Sequence, residues 1–257
     1  MEPQENPQKD PIENSPISTV PPKPAISIAA AILTGAAMTA LALIIVLHPS
    51  NTAPSPTTGA ISQPTTPTTV PAAIVTVRPG DANHIRGDIN TAQVVIFEYS
   101  DSDCPFCEQF HPTLQQVVSD YQGKVAWVYR YFPLSIHPNT HTEAIALQCA
   151  GQLGGAKGFN TYLDTIINIT LNPDTKSNEM LTTIASQQGL DATKFNACRA
   201  DPATAAMVDA SSQEAQSIGA QGTPFSIAVN IKTGKQIIIP GAYPLAEVKK
   251  DIDSLLQ

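Results

Sequence analysis

Charged side chains are scarce in this chain of 257 residues, because Asp, Glu, Lys and Arg together make up only 14%. The 14 basic residues form no long run and are outnumbered by 22 acidic ones, so the composition argues against nucleic acid as a partner. Four cysteines are too few for a small scaffold built on disulfides, and no internal repeat is present. Proline, in contrast, occurs 23 times, which indicates that the composition is uneven along the chain.

The first quarter of the chain divides into three stretches, none with the pattern of a globular core. Residues 1–24 are polar and proline-rich and lack apolar periodicity, so we predict a disordered tail. Residues 25–47 carry no charge, and as a helix these 23 residues would span about 34 Å, enough to cross a hydrocarbon core of about 30 Å. Residues 48–73 are rich in proline and threonine and predict an extended linker.

The flanks of the apolar stretch indicate an uncleaved anchor and its orientation. The preceding segment is long and acidic, whereas a cleaved signal peptide has a shorter apolar region behind a basic start. Lys23 lies just before the stretch, and the next basic residue is Arg78. Because cytoplasmic flanks carry the excess of positive charge, we predict a single-pass protein of the cell membrane. Its N-terminus would be cytoplasmic, and its domain at 74–257 extracytoplasmic.

Residues 74–257 predict one α/β domain. The apolar run Val94–Tyr99 predicts a buried strand, a second strand is expected over Lys124–Phe132, and Pro105–Tyr121 between them predicts a helix that Pro112 should kink or split. The remaining expectations are helices at 140–151, 156–169, 177–188, 191–199 and 202–218, strands at 224–230 and 235–239, and a final helix at 244–256. This order predicts a mixed sheet flanked by helices, with an inserted helical block at about 140–219.

The chemistry is concentrated at Cys104-Pro105-Phe106-Cys107, where the first strand passes into the helix. Two cysteines three positions apart at a helix start lie on one face, close enough to form and break a disulfide. Cys104 is expected at the first turn, where free backbone N–H groups and the helix dipole lower the pKa of a thiol. Cys107 lies further in and gains less, so we predict that Cys104 exchanges with substrate and Cys107 resolves the mixed disulfide.

The charges around the motif oppose an acidic thiol. No Lys or Arg lies near it in the sequence, and like charges raise the pKa of a thiol. The acidic neighbours are Glu98, Asp101, Asp103 and Glu108. We therefore expect backbone amides to be the main stabilisers of a Cys104 thiolate. Half of a zinc site is an alternative, but Cys149 and Cys198 are isolated and form no second C-x-x-C pair.

Several motifs together resemble the DsbA-like proteins of the thioredoxin fold. They are VVIFEYSDSDCPFC, YRYFPLSIHP, the isolated GTPF at 222–225 and the closing PGAYPLAEVKKDI, in that order over about residues 83–257. The resemblance implies a thioredoxin-like mixed sheet with a helical insertion and a thiol–disulfide oxidoreductase activity that uses no cofactor. The Pro-Phe dipeptide departs from the strongest oxidants of the family, which have His between the cysteines.

The resemblance also implies roles for single residues. Cys104 corresponds to the attacking cysteine, Cys107 to its buried partner, and Glu98 to a buried acid that shuttles the proton of the buried thiol. Thr223 and Pro224 resemble a loop with a cis proline that faces the dithiol and binds an extended substrate strand. The implied partners are reduced exported proteins and a quinone-linked membrane thiol oxidase that restores the disulfide.

Other side chains carry further expectations. Phe106 should be exposed beside the dithiol and contact substrates. Cys149 and Cys198 fall in predicted helices of the inserted block and form either a structural disulfide or two buried thiols. A disulfide there would contribute about 4 kcal/mol by closing a long loop. His111, one turn beyond Cys107, is expected at the surface.

The sequence thus predicts a membrane-anchored, extracytoplasmic oxidoreductase that introduces disulfides into exported proteins. A reductase or an isomerase on the same fold is an alternative, because the direction of exchange depends on the reduction potential relative to that of the compartment. A non-catalytic metal-binding or chaperone module is a third possibility, from a different class of protein.

Overall fold

The computed structural model describes residues 75–169 and 176–257. The predicted tail at 1–24, membrane span at 25–47 and linker at 48–73 lie outside the described residues. Across the part of the chain that is described, no helix is both long enough and apolar enough to cross a membrane.

The described elements alternate between strands and helices before and after a block of helices. In chain order they are a 3₁₀ helix at Pro79–Asn83, β1 at Ile85–Arg86, β2 at Val94–Ser100, α1 at Pro105–Asp120, β3 at Val125–Tyr131, α2 at Thr140–Ile166, a 3₁₀ turn at Ile167–Ile169, α3 at Asn178–Gln187, α4 at Ala192–Ala200, α5 at Pro202–Ser217, β4 at Phe225–Asn230, β5 at Gln236–Ile239 and α6 at Leu245–Leu255.

A five-stranded sheet has the order β1-β3-β2-β4-β5, so β2 is its central strand. β2 and β3 run parallel, from the pair Val94–Val125 to the pair Ser100–Tyr131, because α1 carries the chain back between them. β4 is antiparallel to β2 on its other side, and β5 forms a hairpin with β4. All seven residues of β2 are buried, which accounts for its apolar β-branched sequence. The expected mixed sheet flanked by helices is confirmed.

The two faces of the sheet belong to two hydrophobic cores, because successive residues of a strand point to opposite sides. Ile96 and Trp127 belong to the larger core, which also contains both cysteines of the motif and residues of α1, α2 and α6. Phe97 and Val128 belong to the second core, which α5 and the chain around Ala220 complete. The motif is therefore anchored in the larger of the two cores.

The helices α2 to α5 come between β3 and β4. The sequence predicts two helices where the structure has α2, and the backbone departs from helical geometry at Gly155 (φ 61°, ψ −162°), close to the predicted gap. α3, α4 and α5 each begin with a polar side chain that accepts a hydrogen bond from a backbone N–H of the first turn. These N-cap residues are Ser177, Asp191 and Asp201.

Two details differ from the sequence prediction. Pro112 lies inside α1 and does not split it, because Phe110, Leu114 and Val117 pack into the core on either side of the missing hydrogen bond. The edge strand β1 was not predicted, since two residues are too few to show a period.

Candidate active site

The C-x-x-C motif lies where the central strand passes into the first long helix. β2 ends at Ser100, and a short loop leads to Cys104, which is the N-cap of α1 with extended backbone (φ −80°, ψ 121°). Pro105 takes the first helical position, where its missing N–H leaves no helical hydrogen bond unmade. Cys107 lies on the first turn and points into the core. Its exposed fraction is 0%, against 4% for Cys104, and both thiols are unbonded.

A loop distant in sequence completes the site. The Thr223–Pro224 peptide is cis and lies directly before β4. Sγ of Cys104 lies 3.4 Å from the carbonyl oxygen of Thr223, to which it donates a hydrogen bond when it is protonated, although 119 positions separate the two residues. Pro224 is buried, whereas Thr223 is half-buried at the surface. The loop indicated by the family resemblance therefore lies against the thiol predicted to react.

Cys104 is the more acidic of the two thiols. Its hydrogen bond with the Cys107 side chain is the main cause that lowers the pKa of Cys104 to about 6. The Thr223 side chain and the backbone N–H groups of Cys107 and Phe106 lower this pKa further, while burial opposes them. At neutral pH Cys104 is therefore largely a thiolate. The expectation that backbone amides would dominate was wrong, because the first turn directs a second thiol at Cys104.

Cys107 has the opposite character. Burial raises its pKa well above the ordinary value, and the hydrogen bond to Cys104 and the charge of Glu98 raise the pKa further. Cys107 thus keeps its proton at neutral pH and can donate it in the hydrogen bond to Cys104. One interaction therefore stabilises the thiolate of Cys104 and the neutral thiol of Cys107 together.

Glu98 is a buried acid on the central strand, in register with Tyr129 of β3 and Ser226 of β4. Its exposed fraction is 1%, and burial raises its pKa to about 8, against the opposing effect of the Ser100 and Trp127 side chains. Its Oε2 atom makes no hydrogen bond within the described part of the chain. Glu98 is therefore mostly a neutral acid at pH 7; the charge of Cys104 adds to the rise of its pKa, and an ionised Glu98 would raise the pKa of Cys107.

The loop before Cys104 is fixed by the buried carboxylate of Asp101. One oxygen accepts hydrogen bonds from the Asp103 backbone N–H at 2.8 Å and from the Thr140 hydroxyl. The other accepts from the Leu134 backbone N–H at 2.8 Å and contacts His137 Nδ1 at 2.9 Å. Asp101 thus joins the active-site loop to the segment that follows β3. The sequence predicted Asp101 as a helix-capping residue and as one of the unfavourable charges, but its contacts with Leu134, His137 and Thr140 could not be predicted, because these residues lie more than 30 positions away.

The structure also brings to this loop a base that sequence reasoning missed. Lys176 forms ion pairs with Asp103 and Glu143 and is buried with them. The lack of basic residues around the motif is therefore true of the sequence and not of the folded protein. Nothing in the sequence signals the contact, since 73 positions separate Lys176 from Asp103.

The prediction for His111 was wrong. The side chain is buried, its Nε2 lies 2.8 Å from Asp164 Oδ1, and its ring meets the edge of Trp127. The face of α1 that carries His111 turns towards the sheet and the end of α2, so the buried ring finds a partly exposed carboxylate as its partner. Within 75–169 and 176–257, no three His, Cys, Asp or Glu side chains are grouped so that they could hold a metal ion.

The other two cysteines lie in the helical block. Cys149 of α2 and Cys198 of α4 form a disulfide, with an S–S distance of 2.03 Å and a Cα–Cα distance of 5.8 Å. Of the two alternatives that the sequence left open, the structure therefore has the disulfide. It joins two helices of the block and has no part in the constellation around Cys104.

Phe106 is the exposed residue of the motif, with 59% of its surface accessible. Ile136, at 77%, is also exposed and lies in the loop whose neighbours Leu134 and His137 bind Asp101. An apolar ring that is exposed beside a reactive thiol is suited to contact an incoming polypeptide.

The fold and the paired thiols together define a class of protein, the thiol–disulfide oxidoreductases built on the thioredoxin fold. A family model described as Thioredoxin matches residues 81–238, which is more than half of the chain. The chain belongs to this family, and its structure is that of the DsbA-like oxidoreductases within it.

Solved structures of similar proteins agree with this assignment. DsbA2 of Pseudomonas aeruginosa is 26% identical, with a TM-score of 0.56 over 67% of this chain and 93% of that one. Alpha-DsbA1 of Wolbachia pipientis is 20% identical, with a TM-score of 0.56 over 67% and 89% of the two chains. The catalytic domain of Proteus mirabilis ScsC is 17% identical, with a TM-score of 0.56 over 68% and 90%. At the two lower identities the likeness concerns the fold.

Curated proteins with a similar stretch are much longer than this chain. The Na(+)/H(+) antiporter NhaA 1 of Salinispora arenicola is 35% identical over 75 residues, which are 29% of this chain and 11% of that protein. NhaA 1 of Mycobacterium sp. (strain KMS) is 36% identical over 87 residues, or 33% and 14%. The chain thus spans only about a tenth of the length of these relatives, so the likeness concerns one stretch of them.

Proposed function

We propose that this protein is a membrane-anchored, extracytoplasmic oxidoreductase that introduces disulfides into exported proteins. The observation that carries the proposal is the unequal acidity of the paired thiols, with the pKa of Cys104 at about 6 and that of Cys107 well above its ordinary value. A stable thiolate stabilises the reduced pair, and a pair whose reduced form is stabilised is a good oxidant. The anchor at 25–47 and the cytoplasmic N-terminus rest on the sequence.

Oxidation of a substrate dithiol takes two exchanges. A substrate thiolate attacks Sγ of Cys104 in the Cys104–Cys107 disulfide, so that a mixed disulfide forms and Cys107 leaves as a thiolate, which takes up a proton. The second substrate thiolate then attacks the substrate sulfur and releases Cys104 as a thiolate. Two electrons pass from the substrate to the protein. The low pKa of Cys104 favours the second exchange, because a weakly basic thiolate is a good leaving group.

Glu98 supplies the proton that Cys107 needs when it leaves. Its carboxyl group is protonated at pH 7, lies under both thiols and has an oxygen without a hydrogen-bond partner in the described structure. Proton transfer from a positioned acid of matched pKa is efficient at neutral pH. The Glu98 carboxylate is then protonated again from solvent before the next cycle.

The substrate strand is proposed to bind along the loop opposite Cys104. The backbone of Thr223 is half-buried beside the reactive sulfur, so an extended peptide can pair with it while its cysteine reaches Cys104. Phe106 borders the same place and offers apolar contact. Only 4% of the surface of Cys104 is exposed. We therefore expect flexible, unfolded chains to reach it more readily than folded ones.

Reoxidation of the pair is proposed to come from a quinone-linked thiol oxidase in the same membrane. An anchored protein and a membrane oxidase meet by diffusion in two dimensions, and the linker at 48–73 would give the domain reach. This partner is implied by the family resemblance. A reductase on the same fold needs a dithiol that gives up its electrons more readily, that is, a lower reduction potential, so the potential decides the direction.

The decisive experiment is a redox equilibrium of the purified protein against glutathione, followed by oxidation of a reduced, unfolded substrate. We expect a potential above about −180 mV, the poise of oxidising compartments, and a rate that Cys104→Ser and Cys107→Ser each abolish. A potential near about −270 mV would show that the protein works as a reductase. Undiminished oxidation by both serine variants would show that another group performs the chemistry.

A further inference from the structure

Lys176 is a buried cation at the entrance to the redox motif. Its ammonium group is inaccessible to solvent and lies 2.6 Å from Asp103 Oδ1 and 3.0 Å from Glu143 Oε2. It also donates a hydrogen bond to the Ser102 carbonyl oxygen at 3.3 Å. Because Asp103 directly precedes Cys104, Lys176 holds two of the three residues that lead from β2 into the reactive thiol.

The cluster is a buried ionic site in which one oxygen of each carboxylate is bonded, while Asp103 Oδ2 and Glu143 Oε1 make no hydrogen bond within the described structure. The Ser102 hydroxyl donates to the same Glu143 oxygen at 2.6 Å, and Glu143 belongs to α2 of the helical block. Burial raises the pKa of Glu143, and the charge of Lys176 opposes that rise. A buried cation is stable only when its partners compensate it, so the geometry of Lys176 and that of the loop depend on each other.

Lys176 places a positive charge beside the acidic residue that precedes Cys104. With the cluster intact, the negative charge next to Cys104 is neutralised; without Lys176, the Asp103 carboxylate would act on the thiolate at full strength. The other titratable groups around the two thiols are Glu98 of β2, Asp101 of the loop, Glu108 of α1 and Tyr129 of β3, together with His137, which contacts Asp101. Lys176 is the cation that pairs with Asp103, the residue next to Cys104.

We propose that Lys176 is a positioning residue of the redox centre, which neutralises Asp103 and fixes the loop so that Cys104 is held as a thiolate. The inference rests on the proposed function in that Cys104 is the reactive thiol. It does not depend on the direction of electron transfer, since the ionisation of Cys104 is measured without a substrate protein.

The test measures the rate of Cys104 alkylation by iodoacetamide against pH, resolved by mass spectrometry of the peptide, in the reduced full-length protein. In Lys176→Met we expect the midpoint to rise by about 0.5 pH unit or more, which is about a threefold lower ratio of thiolate to thiol at a given pH. In Asp103→Asn the midpoint should fall, because the charge of Lys176 is then less compensated. In the double variant the midpoint should return towards that of the wild type.

The opposite signs of the two single variants distinguish charge from structure. A loop that was merely loosened would move both midpoints in the same direction, and that result would overturn the proposal. Should Lys176→Met fail to fold, Asp103→Asn alone tests the proposal. An unchanged or raised Cys104 midpoint in Asp103→Asn would contradict the proposal that Lys176 neutralises Asp103. Lys176→Arg, which keeps the charge, should stay nearer the wild type than Lys176→Met does.

Lys249→Met is the matched control. Lys249 also pairs with a carboxylate, that of Asp120 at 3.0 Å, but lies exposed at the far end of α1. Its removal should leave the Cys104 midpoint unchanged, and a shift as large as that in Lys176→Met would show that any lost charge has the same effect. If Lys176→Met raises the Cys104 midpoint as expected but the wild-type protein has a reducing potential, only the proposed oxidase role is refuted.

Discussion

The two pairs of cysteines in this protein have the same side chains but differ in role: one pair is reactive and the other is structural. Cys104 and Cys107 lie one helical turn apart, with thiols of unequal acidity, beside a loop and a buried acid. Cys149 and Cys198 lie 49 positions apart on two helices and are joined covalently. What separates the pairs is their surroundings, because a reactive pair needs groups that stabilise a thiolate, whereas a structural pair needs only helices held at the right distance.

The difference also concerns stability. The region around the reactive pair buries ionisable groups, and burial of Glu98 shifts its pKa far from the ordinary value. Such groups lower the stability of the folded state in return for chemistry. The helical block instead holds a closed loop that restricts the unfolded chain. We therefore expect substitutions at the two pairs to affect different properties.

The largest contrast is expected from removing one sulfur of each pair. In Cys107→Ser that is given a substrate already containing a disulfide, the Cys104 thiolate attacks one substrate sulfur and the other leaves as a thiolate. Because Cys107 is absent and cannot release this mixed disulfide, covalent complexes with substrate should accumulate on non-reducing gels. In the Cys149→Ser/Cys198→Ser double variant no complex should accumulate, and substrate oxidation should stay within about twofold per folded molecule. Complexes that form through Cys149 or Cys198 would contradict the division between the pairs.

The structural disulfide should have the larger effect on stability. Because it closes a loop of 49 positions, we expect the Cys149→Ala/Cys198→Ala variant to lose about 4 kcal/mol in free energy of unfolding. Trp127 is the only tryptophan in the sequence and is buried, so its fluorescence can follow unfolding in urea. A loss below about 1 kcal/mol would show that the block is held mainly by packing.

Glu98→Gln should stabilise the protein at alkaline pH while it slows thiol exchange. The folded protein keeps the proton of Glu98 up to about pH 8, whereas the unfolded chain releases it near pH 4.5. Because the native state binds more protons between these values, wild-type stability falls as the pH rises through that window. At pH 8 the variant should be more stable by about 4 kcal/mol than it is, relative to wild type, near pH 4.5.

The pH profile is the control for this prediction. A gain in stability that is the same at pH 4.5 and pH 8 would point to better packing of the amide and not to ionisation. Exchange at pH 7 should slow by about tenfold or more if Glu98 supplies the proton to Cys107.

The smallest effect is expected on the surface. Phe106→Ser removes an exposed ring beside Cys104, so KM for an unfolded substrate should rise about tenfold, corresponding to about 1.4 kcal/mol of lost apolar contact, while kcat stays close to its value. Met207→Ser, at an exposed position of α5 in the helical block, should change neither constant. If both substitutions changed KM equally, the substrate would not bind specifically against Phe106.

Local signals in the sequence were sufficient for most elements of the fold. The run VVIFEY predicted the central strand to within one residue of its end, because a strand buried on both faces is mostly apolar. The strands β3 and β4 and the helices α3 to α6 were similarly close, since caps, glycines and prolines mark their ends. β1 has only two residues, and Pro112 could not be assessed without knowing how α1 packs.

In the candidate site, the motif Cys104–Cys107 and the likeness of Glu98, Thr223 and Pro224 to known positions could be predicted. The roles of Asp101, His111 and Lys176 could not, because their partners lie far away in sequence. A residue type shows what a side chain is able to do, and only its neighbours in the folded chain show whether it is paired.

The order of residues alone was enough to establish a redox pair on a thioredoxin-like sheet, since strand, cap and C-x-x-C are local patterns whose physics acts over a few positions. The acidity of that pair was settled by folding. The chain had to turn Cys107 towards Cys104 and bring Thr223, distant in sequence, to the same helix terminus, because hydrogen bonds and charges act through space and not along the sequence.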